Sequence, residues 1–248
     1  MTTQGPEKRR GTAKQRRAPK PRSPGAPRRR VIPDVPAEVA ILPRRMVVDL
    51  KAAAPKDRAD EAEAYIRLSI AAHEAGELPK AMRAAAKAKE AAPRSPTVRE
   101  LLGRVLAEMG SHREALAELQ TYKRLSGRAH ADALIAECLL ATGRPEKALE
   151  LIGALHKTDV PAADWAIAQI VRAQLYAERG DIDAAIGVLR SADSAWPGTK
   201  AAPHQLRVRY ELARLLEDQG DDEDARLLYA RVAVADPTFR DALARAKR

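Results

Sequence analysis

The chain has 248 residues, of which 45% are hydrophobic, and 44 Lys and Arg against 34 Asp and Glu give it a net charge of +10. Its single cysteine excludes an intrachain disulfide and is typical of a reducing compartment. No stretch approaches the roughly 18 apolar residues that span a bilayer, and no apolar run follows the basic N-terminus as in a secretory signal. We therefore expect a cytoplasmic protein without a membrane span.

The N-terminal segment carries the whole net charge. Residues 1–45 contain thirteen Lys or Arg and three acidic residues, so residues 46–248 are neutral overall. Eight of the seventeen prolines also lie in residues 1–45, and such a density of proline prevents a regular helix. A segment this polar cannot bury enough apolar surface to offset the entropy of ordering. We predict a disordered basic tail over residues 1–30, then a proline-punctuated strap and a short leading helix over residues 31–61.

The tail is predicted to bind a polyanion such as RNA or DNA. Disordered Lys and Arg residues bind phosphates by releasing counterions, without fixed geometry. The tail has no aromatic residue on which a base could stack, so sequence-specific reading is not expected. A tail that only solubilises the protein is the alternative. The candidate polyanion-binding residues are Arg9, Arg10, Lys14, Arg16, Arg17, Lys20, Arg22, Arg28, Arg29 and Arg30.

Residues 62–237 contain a repeated pattern. Five times, a Gly is followed five positions later by an Ala, and the intervals between these glycines are 34, 33, 37 and 40 residues. The glycines are Gly76, Gly110, Gly143, Gly180 and Gly220. Seven positions before each Gly stands a small residue, which lets two helices approach closely: Ser69, Gly103, Ala136, Ala173 and Ala213. Nine positions after each Gly stands a packing residue: Ala85, Leu119, Ile152, Leu189 and Tyr229.

This pattern resembles the tetratricopeptide repeat, a 34-residue unit of two antiparallel helices. The resemblance implies an all-α solenoid of about five helix-turn-helix repeats, with a C-terminal capping helix and the disordered N-terminal tail. The predicted repeats span residues 62–95, 96–128, 129–161, 166–199 and 206–237, and the predicted capping helix spans residues 238–248. The layout is also similar to that of tetratricopeptide proteins from high-GC bacteria, which implies no activity.

Local signals predict how the helices begin and how the repeats are linked. The left-handed conformation that ends a first helix favours Gly at each turn. Ser111 with Glu114 predicts a capping box, Asp181 and Asp221 are predicted N-caps, and Pro145 suits a first helical position. The two longer intervals, residues 156–165 and 195–204, are predicted to be loops that lengthen the links between repeats.

The resemblance also implies a binding groove. In tetratricopeptide proteins the concave face is lined by fixed positions of each first helix. Arg and Tyr are enriched where interfaces carry energy, which makes the last repeat the strongest candidate for an unidentified protein or peptide partner. A solvated helix face without a ligand is the alternative. The candidate groove residues are Glu100, Arg104, Glu137, Gln174, Arg207, Tyr210 and Arg214.

No catalytic or metal-binding pattern emerges from the sequence. The five histidines are never spaced three or four apart, and one cysteine cannot build a zinc site. We predict that Cys138 packs inside a first helix and that His73, His112 and His156 are exposed. The acidic run at residues 217–226 lacks the ligand alternation of a calcium loop and fits a helix N-terminus instead. We therefore predict no catalytic residue, no cofactor and no metal.

The sequence thus predicts a non-enzymatic protein-interaction scaffold, tethered by its basic tail to nucleic acid or another polyanion. One alternative is a nucleic-acid-binding or ribosome-associated protein in which the tail is the main functional element. A second alternative is a peptide-binding regulator whose tail is inert.

Overall fold

A computed structural model describes residues 1–2, 32–39, 41–55, 57–158, 160–195 and 201–247. The chain divides into Met1–Val31 and Ile32–Arg248. The predicted disordered tail, with every candidate polyanion-binding residue, lies outside the described residues except for Met1 and Thr2. The described part of the chain forms twelve α-helices and no strand.

Five helical hairpins follow one another along the chain. After α1 (Arg44–Ala53) the hairpins are α2 (Ala59–Glu74) with α3 (Leu78–Ala91), α4 (Pro96–Glu108) with α5 (His112–Ser126), α6 (Asp132–Ala141) with α7 (Pro145–Gly153), α8 (Ala162–Glu178) with α9 (Ile182–Ser194), and α10 (Pro203–Gln219) with α11 (Asp222–Ala235). Each hairpin packs on the next, and the short helix α12 (Ala242–Arg245) covers α11. The predicted all-α solenoid of five hairpins and a capping helix is confirmed.

The residues that repeat in the sequence form the core of each hairpin. The Ala that follows each turn is at most 2% exposed, and so is the packing residue nine positions after each Gly. In the first hairpin the Ser69 hydroxyl donates a hydrogen bond to the Ala81 carbonyl at 2.9 Å, directly across the two helices. In the second, a Cβ on Gly103 would lie 2.6 Å from Cγ of Leu119. The small residues are therefore required by close helix packing.

The turn glycines adopt the predicted conformation. All five have φ between 73° and 90°, which is the left-handed region that side chains disfavour. Their amides close the first helix of each hairpin, as in the bond from Gly110 N–H to the Ala107 carbonyl at 2.9 Å. The periodic Gly thus fixes where each hairpin turns.

The predicted caps are only partly present. Asp181 accepts a hydrogen bond from the Ala184 amide at 3.2 Å, and Pro145 is the first residue of α7, as predicted. Asp221 occupies the predicted N-cap position, although its side chain makes no capping hydrogen bond. Ser111 is also an N-cap residue, but its side chain makes no capping hydrogen bond, so the predicted capping box with Glu114 was wrong. Asp221 has the same side chain as Asp181 and nearly the same backbone conformation, so the side-chain torsion decides whether the cap forms.

The two long intervals are only partly loops. Residues 162–165 belong to α8 and residues 203–204 belong to α10, which corrects the prediction that both intervals are loops throughout. Pro161 and Ala202 are extended immediately before these helices, and Pro203 suits the first helical position. Helices α8 and α10 therefore have 17 residues each, about two turns more than the 10 residues of α6. Residues 159 and 196–200 lie outside the described part.

The strap and α1 close the N-terminal end of the solenoid. Leu42 and Leu50 are buried at 5% and 0% exposure and pack in one cluster with Ile66 of α2 and Val98 of α4. The Arg67 guanidinium donates a hydrogen bond to the Val39 carbonyl at 2.7 Å. Leu42 of the strap and Leu50 of α1 thus anchor this end of the chain in the core, and the bond from Arg67 holds the strap backbone.

Candidate interaction groove

The first helices of the last four hairpins, α4, α6, α8 and α10, contribute to the walls of two adjoining cavities, which together we call the groove. The larger has a volume of about 600 Å³ and includes Arg104, Glu137 and Arg207 in its lining. The smaller has a volume of about 380 Å³ and includes Glu137, Gln174 and Arg214. Both are also lined by His112, so they adjoin there. Five of the seven residues expected in a groove are therefore brought together.

One ion pair in the groove joins two hairpins that are not neighbours in the chain. Arg104 on α4 contacts Glu100 at 3.0 Å and reaches Asp164 at the start of α8 at 3.1 Å. Asp164 is only 2% exposed. Burial alone would lower the pKa of Arg104, but the charges of Asp164 and Glu100 outweigh that effect and raise it. The second and fourth hairpins are thus tied together past the third.

A second ion pair joins the third and fifth hairpins in the same way. The Arg207 guanidinium on α10 pairs with one carboxylate oxygen of Glu137 on α6, past the fourth hairpin. The other Glu137 oxygen, Arg207 Nε and His112 Nδ1 are buried without a hydrogen-bond partner among the described residues. Unpaired polar atoms therefore collect where the two cavities meet. His112 is half-buried, so the prediction that it is exposed was wrong.

The smaller cavity holds the polar side chains that are most open to a partner. The Arg214 side chain is 46% exposed, and its nearest carboxylate, on Glu211, is 3.9 Å away. Glu211 makes a closer ion pair with Arg240, at 2.7 Å. The half-buried Gln174 side chain has no hydrogen-bond partner among the described residues. Arg214 and Gln174 are thus available for new contacts.

Tyr210 does not line the groove, which corrects the sequence-based prediction. It is 5% exposed, its hydroxyl donates a hydrogen bond to Asp241, and the Arg240 guanidinium lies 4.8 Å from its ring centroid. Burial raises the pKa of Tyr210, and its hydrogen bond to Asp241 adds to the shift. The segment after α11 packs on this residue of the last hairpin, so Tyr210 is a packing residue.

Glu100 also lies outside the groove. Besides Arg104, it faces His130 at 3.2 Å, and His130 in turn lies 2.7 Å from the Tyr122 hydroxyl. Glu100 lines a separate cleft between α1, α4 and α5. Glu100 therefore does not line the groove as expected, and it orients Arg104 instead.

The remaining polar residues have structural surroundings. Cys138 is fully buried, which raises the pKa of its thiol to about 12, and it packs in the core as predicted. His156 is exposed as predicted, whereas His73 is half-buried, so its prediction was wrong. His73 faces Glu108 at 2.6 Å. Within the acidic run, Glu217 accepts a hydrogen bond from the Tyr229 hydroxyl at 3.0 Å. Among the described residues no cluster of His, Cys, Asp or Glu could hold a metal ion.

Comparisons with known proteins identify the repeat. Two models of the tetratricopeptide repeat match residues 100–164 and 176–248. No curated protein matches the sequence. No helix in the described part is long and apolar enough to cross a membrane.

Solved structures share the fold at low sequence identity. A thermophilic tetratricopeptide protein of Thermus thermophilus is 20% identical, with a TM-score of 0.59 over 75% of this chain and 97% of that one. A chain of the APC/C hetero-tetramer is 14% identical, with a TM-score of 0.60 over 82% of this chain and 38% of that one. PilF of Pseudomonas aeruginosa is 18% identical, with a TM-score of 0.52 over 76% and 82%. The similarity to proteins of high-GC bacteria stays a prediction.

Proposed function

Because the chain belongs to the tetratricopeptide repeat family, we propose that it is a non-enzymatic scaffold that binds a protein or peptide in the groove. The groove itself carries this proposal, with its adjoining cavities of about 600 and 380 Å³. An extended peptide that spans both cavities contacts side chains from at least three successive hairpins, so its site exists only when the hairpins are stacked.

The ion pairs of the groove support this function by keeping its walls in place. Arg104 with Asp164 and Arg207 with Glu137 each join two hairpins, so a partner meets a surface that is already ordered. Preorganised walls reduce the entropy that is lost on binding. Arg214 and Gln174 then supply donors and an acceptor to the partner backbone. A cytoplasmic location, expected from the single cysteine, is part of this proposal.

A substitution in the smaller cavity tests groove binding. A peptide selected against the full chain from a random display library is expected to bind Arg214→Glu at least tenfold more weakly than the wild type, because a polar contact at a desolvated interface is replaced by a charge of opposite sign. Isothermal titration calorimetry measures the affinity. Arg231→Glu, on the exposed face of α11 outside the groove, is the matched control and should bind normally. Equal weakening by both variants would assign the effect to net charge.

We also propose that the basic tail tethers the scaffold to nucleic acid. The observation in favour is the charge distribution, since residues 1–45 hold the entire excess of ten positive charges. Such a segment binds a phosphate backbone with an affinity that falls steeply with salt. The ribosome-associated alternative differs only in making the tail the main functional element. Fluorescence anisotropy of a labelled structured RNA, titrated with the full chain and with a chain whose ten Lys and Arg residues of 9–30 are changed to Gln, tests the tether.

A further inference from the structure

A cleft at the N-terminal end of the solenoid has the chemistry of a phosphate site. It has a volume of about 530 Å³, lies between α1, the link from α3 to α4 and the end of α5, and shares no lining residue with the groove. Its two cations, Arg94 and Arg128, come from the segments that follow α3 and α5. Two separate parts of the chain thus bring positive charge to one cleft.

Among the described residues, neither of these two guanidinium groups has a hydrogen-bond or ion-pair partner. Arg94 and Arg128 are both exposed. In the groove, by contrast, Arg104 and Arg207 are each closely paired with a carboxylate. A guanidinium presents several N–H donors in a plane that matches phosphate oxygens. The cleft therefore offers two free groups that suit an anion.

Two hydroxyl groups add further hydrogen-bonding capacity. Thr97, in the first turn of α4, and Ser126, at the end of α5, both line the cleft. The Ser126 hydroxyl accepts a hydrogen bond from the Arg128 amide at 3.2 Å, which ties the backbone of Arg128 to α5. Hydroxyl and guanidinium groups together are the usual partners of backbone phosphates in protein complexes with nucleic acids.

Two carboxylates also line the cleft, and they act differently. Glu100 is already paired with Arg104 at 3.0 Å and His130 at 3.2 Å. Asp49 on α1 has no hydrogen-bond or ion-pair partner among the described residues, so its charge opposes an anion. Among the unpaired groups, two positive charges thus face one negative charge. This imbalance predicts opposite effects from removing the arginines and removing the aspartate.

We propose that this cleft binds a backbone phosphate of RNA, as a second contact beside the basic tail. The proposal rests on the proposed tethering function and gives it a fixed point on the folded body. A long phosphate backbone suits both elements, because the tail supplies ten Lys or Arg between residues 9 and 30 and no aromatic group to select a particular base.

Fluorescence anisotropy of a fluorescein-labelled structured RNA, titrated with the full chain over a range of salt concentrations, tests this site. The double variant Arg94→Gln/Arg128→Gln is expected to bind about tenfold more weakly, with the slope of log affinity against log salt reduced by about one because one phosphate contact is lost. Asp49→Asn is expected to bind about threefold more tightly, because a repulsive charge is removed. The control Arg83→Gln/Arg231→Gln removes the same charge from exposed sites on α3 and α11 and should bind within about twofold of the wild type.

A tail variant separates failure of the cleft from failure of the tether. With the ten Lys and Arg residues of 9–30 changed to Gln, the chain should lose most of its RNA affinity. If that variant binds like the wild type, the tether itself is wrong. If it loses binding while the cleft variants match their control pair, the tether stands and the cleft proposal is overturned. If a phosphoserine peptide binds the cleft more tightly than RNA does, the RNA assignment is overturned.

Discussion

Replacing Arg104 with Met is expected to lower the free energy of unfolding by about 3 kcal/mol, because the substitution leaves a buried carboxylate without its cation. Asp164 is 2% exposed, and the contact with Arg104 at 3.1 Å is its only ion pair among the described residues. Met keeps most of the apolar stem of Arg104, so lost packing contributes little. Urea unfolding followed by circular dichroism measures the effect.

Two further variants isolate the ion pair from other consequences of this substitution. Arg113→Met, at an exposed site on α5 without a described partner, removes the same charge and should change the free energy of unfolding by less than about 0.5 kcal/mol. The double variant Arg104→Met/Asp164→Leu should recover most of the loss, because neither charge then remains buried. If Arg104→Met is as stable as Arg113→Met, the pair across the groove does not join the hairpins.

Leu119→Ala is expected to cost about 2 to 5 kcal/mol, the usual range for emptying a fully buried leucine site. Leu119 is 0% exposed and packs against Gly103, where an added Cβ would lie 2.6 Å from Cγ of Leu119. Gly103→Ala should therefore destabilise the protein by about 1 to 3 kcal/mol through overpacking, even though Ala favours a helix by about 1 kcal/mol. Chemical denaturation of both single variants and the double variant gives the coupling.

The coupling distinguishes a clash from a general loss of core. In the Leu119→Ala background the clash is gone, so Gly103→Ala should become neutral or stabilising. Gly187→Ala is the matched control, because a Cβ there meets no atom within 4 Å and should stabilise α9 by about 1 kcal/mol. Additive effects of Gly103→Ala and Leu119→Ala would show that the two sites do not touch, which contradicts close packing of α4 on α5 at these residues.

The fold was accessible from the sequence because its determinants recur. One Gly in the left-handed conformation ends every first helix, and one small residue lets the second helix approach, so five copies of a weak signal add up. The helix caps are less regular: Ser111 and Asp181 follow equivalent glycines, yet only Asp181 caps its helix. Asp221 is equivalent to Asp181 in side chain and backbone and does not cap either, so capping depends on a side-chain torsion that the repeat does not specify.

Only part of the groove could be predicted from the sequence. Arg214 and Gln174 fall at repeat positions that reach the groove, whereas Tyr210 is buried because a non-repeating segment packs against the last hairpin. Asp164 was missed because it lies in a long interval outside the standard unit, and Arg104 is 60 residues away in sequence. The sequence did contain one signal for this pair: Asp164 is the lone acid in the apolar stretch "AADWAIAQIV", and a buried charge requires a partner.

Amide hydrogen exchange of the full chain, with and without the peptide selected by display, tests most directly whether this solenoid binds partners in its groove. Slower exchange is predicted in α6, α8 and α10, whose residues line both cavities, while α7 and α11, which line neither cavity, keep their free-state rates. Protection confined to α11, or to the basic residues 1–31, would place the partner elsewhere and contradict a scaffold that works through its groove.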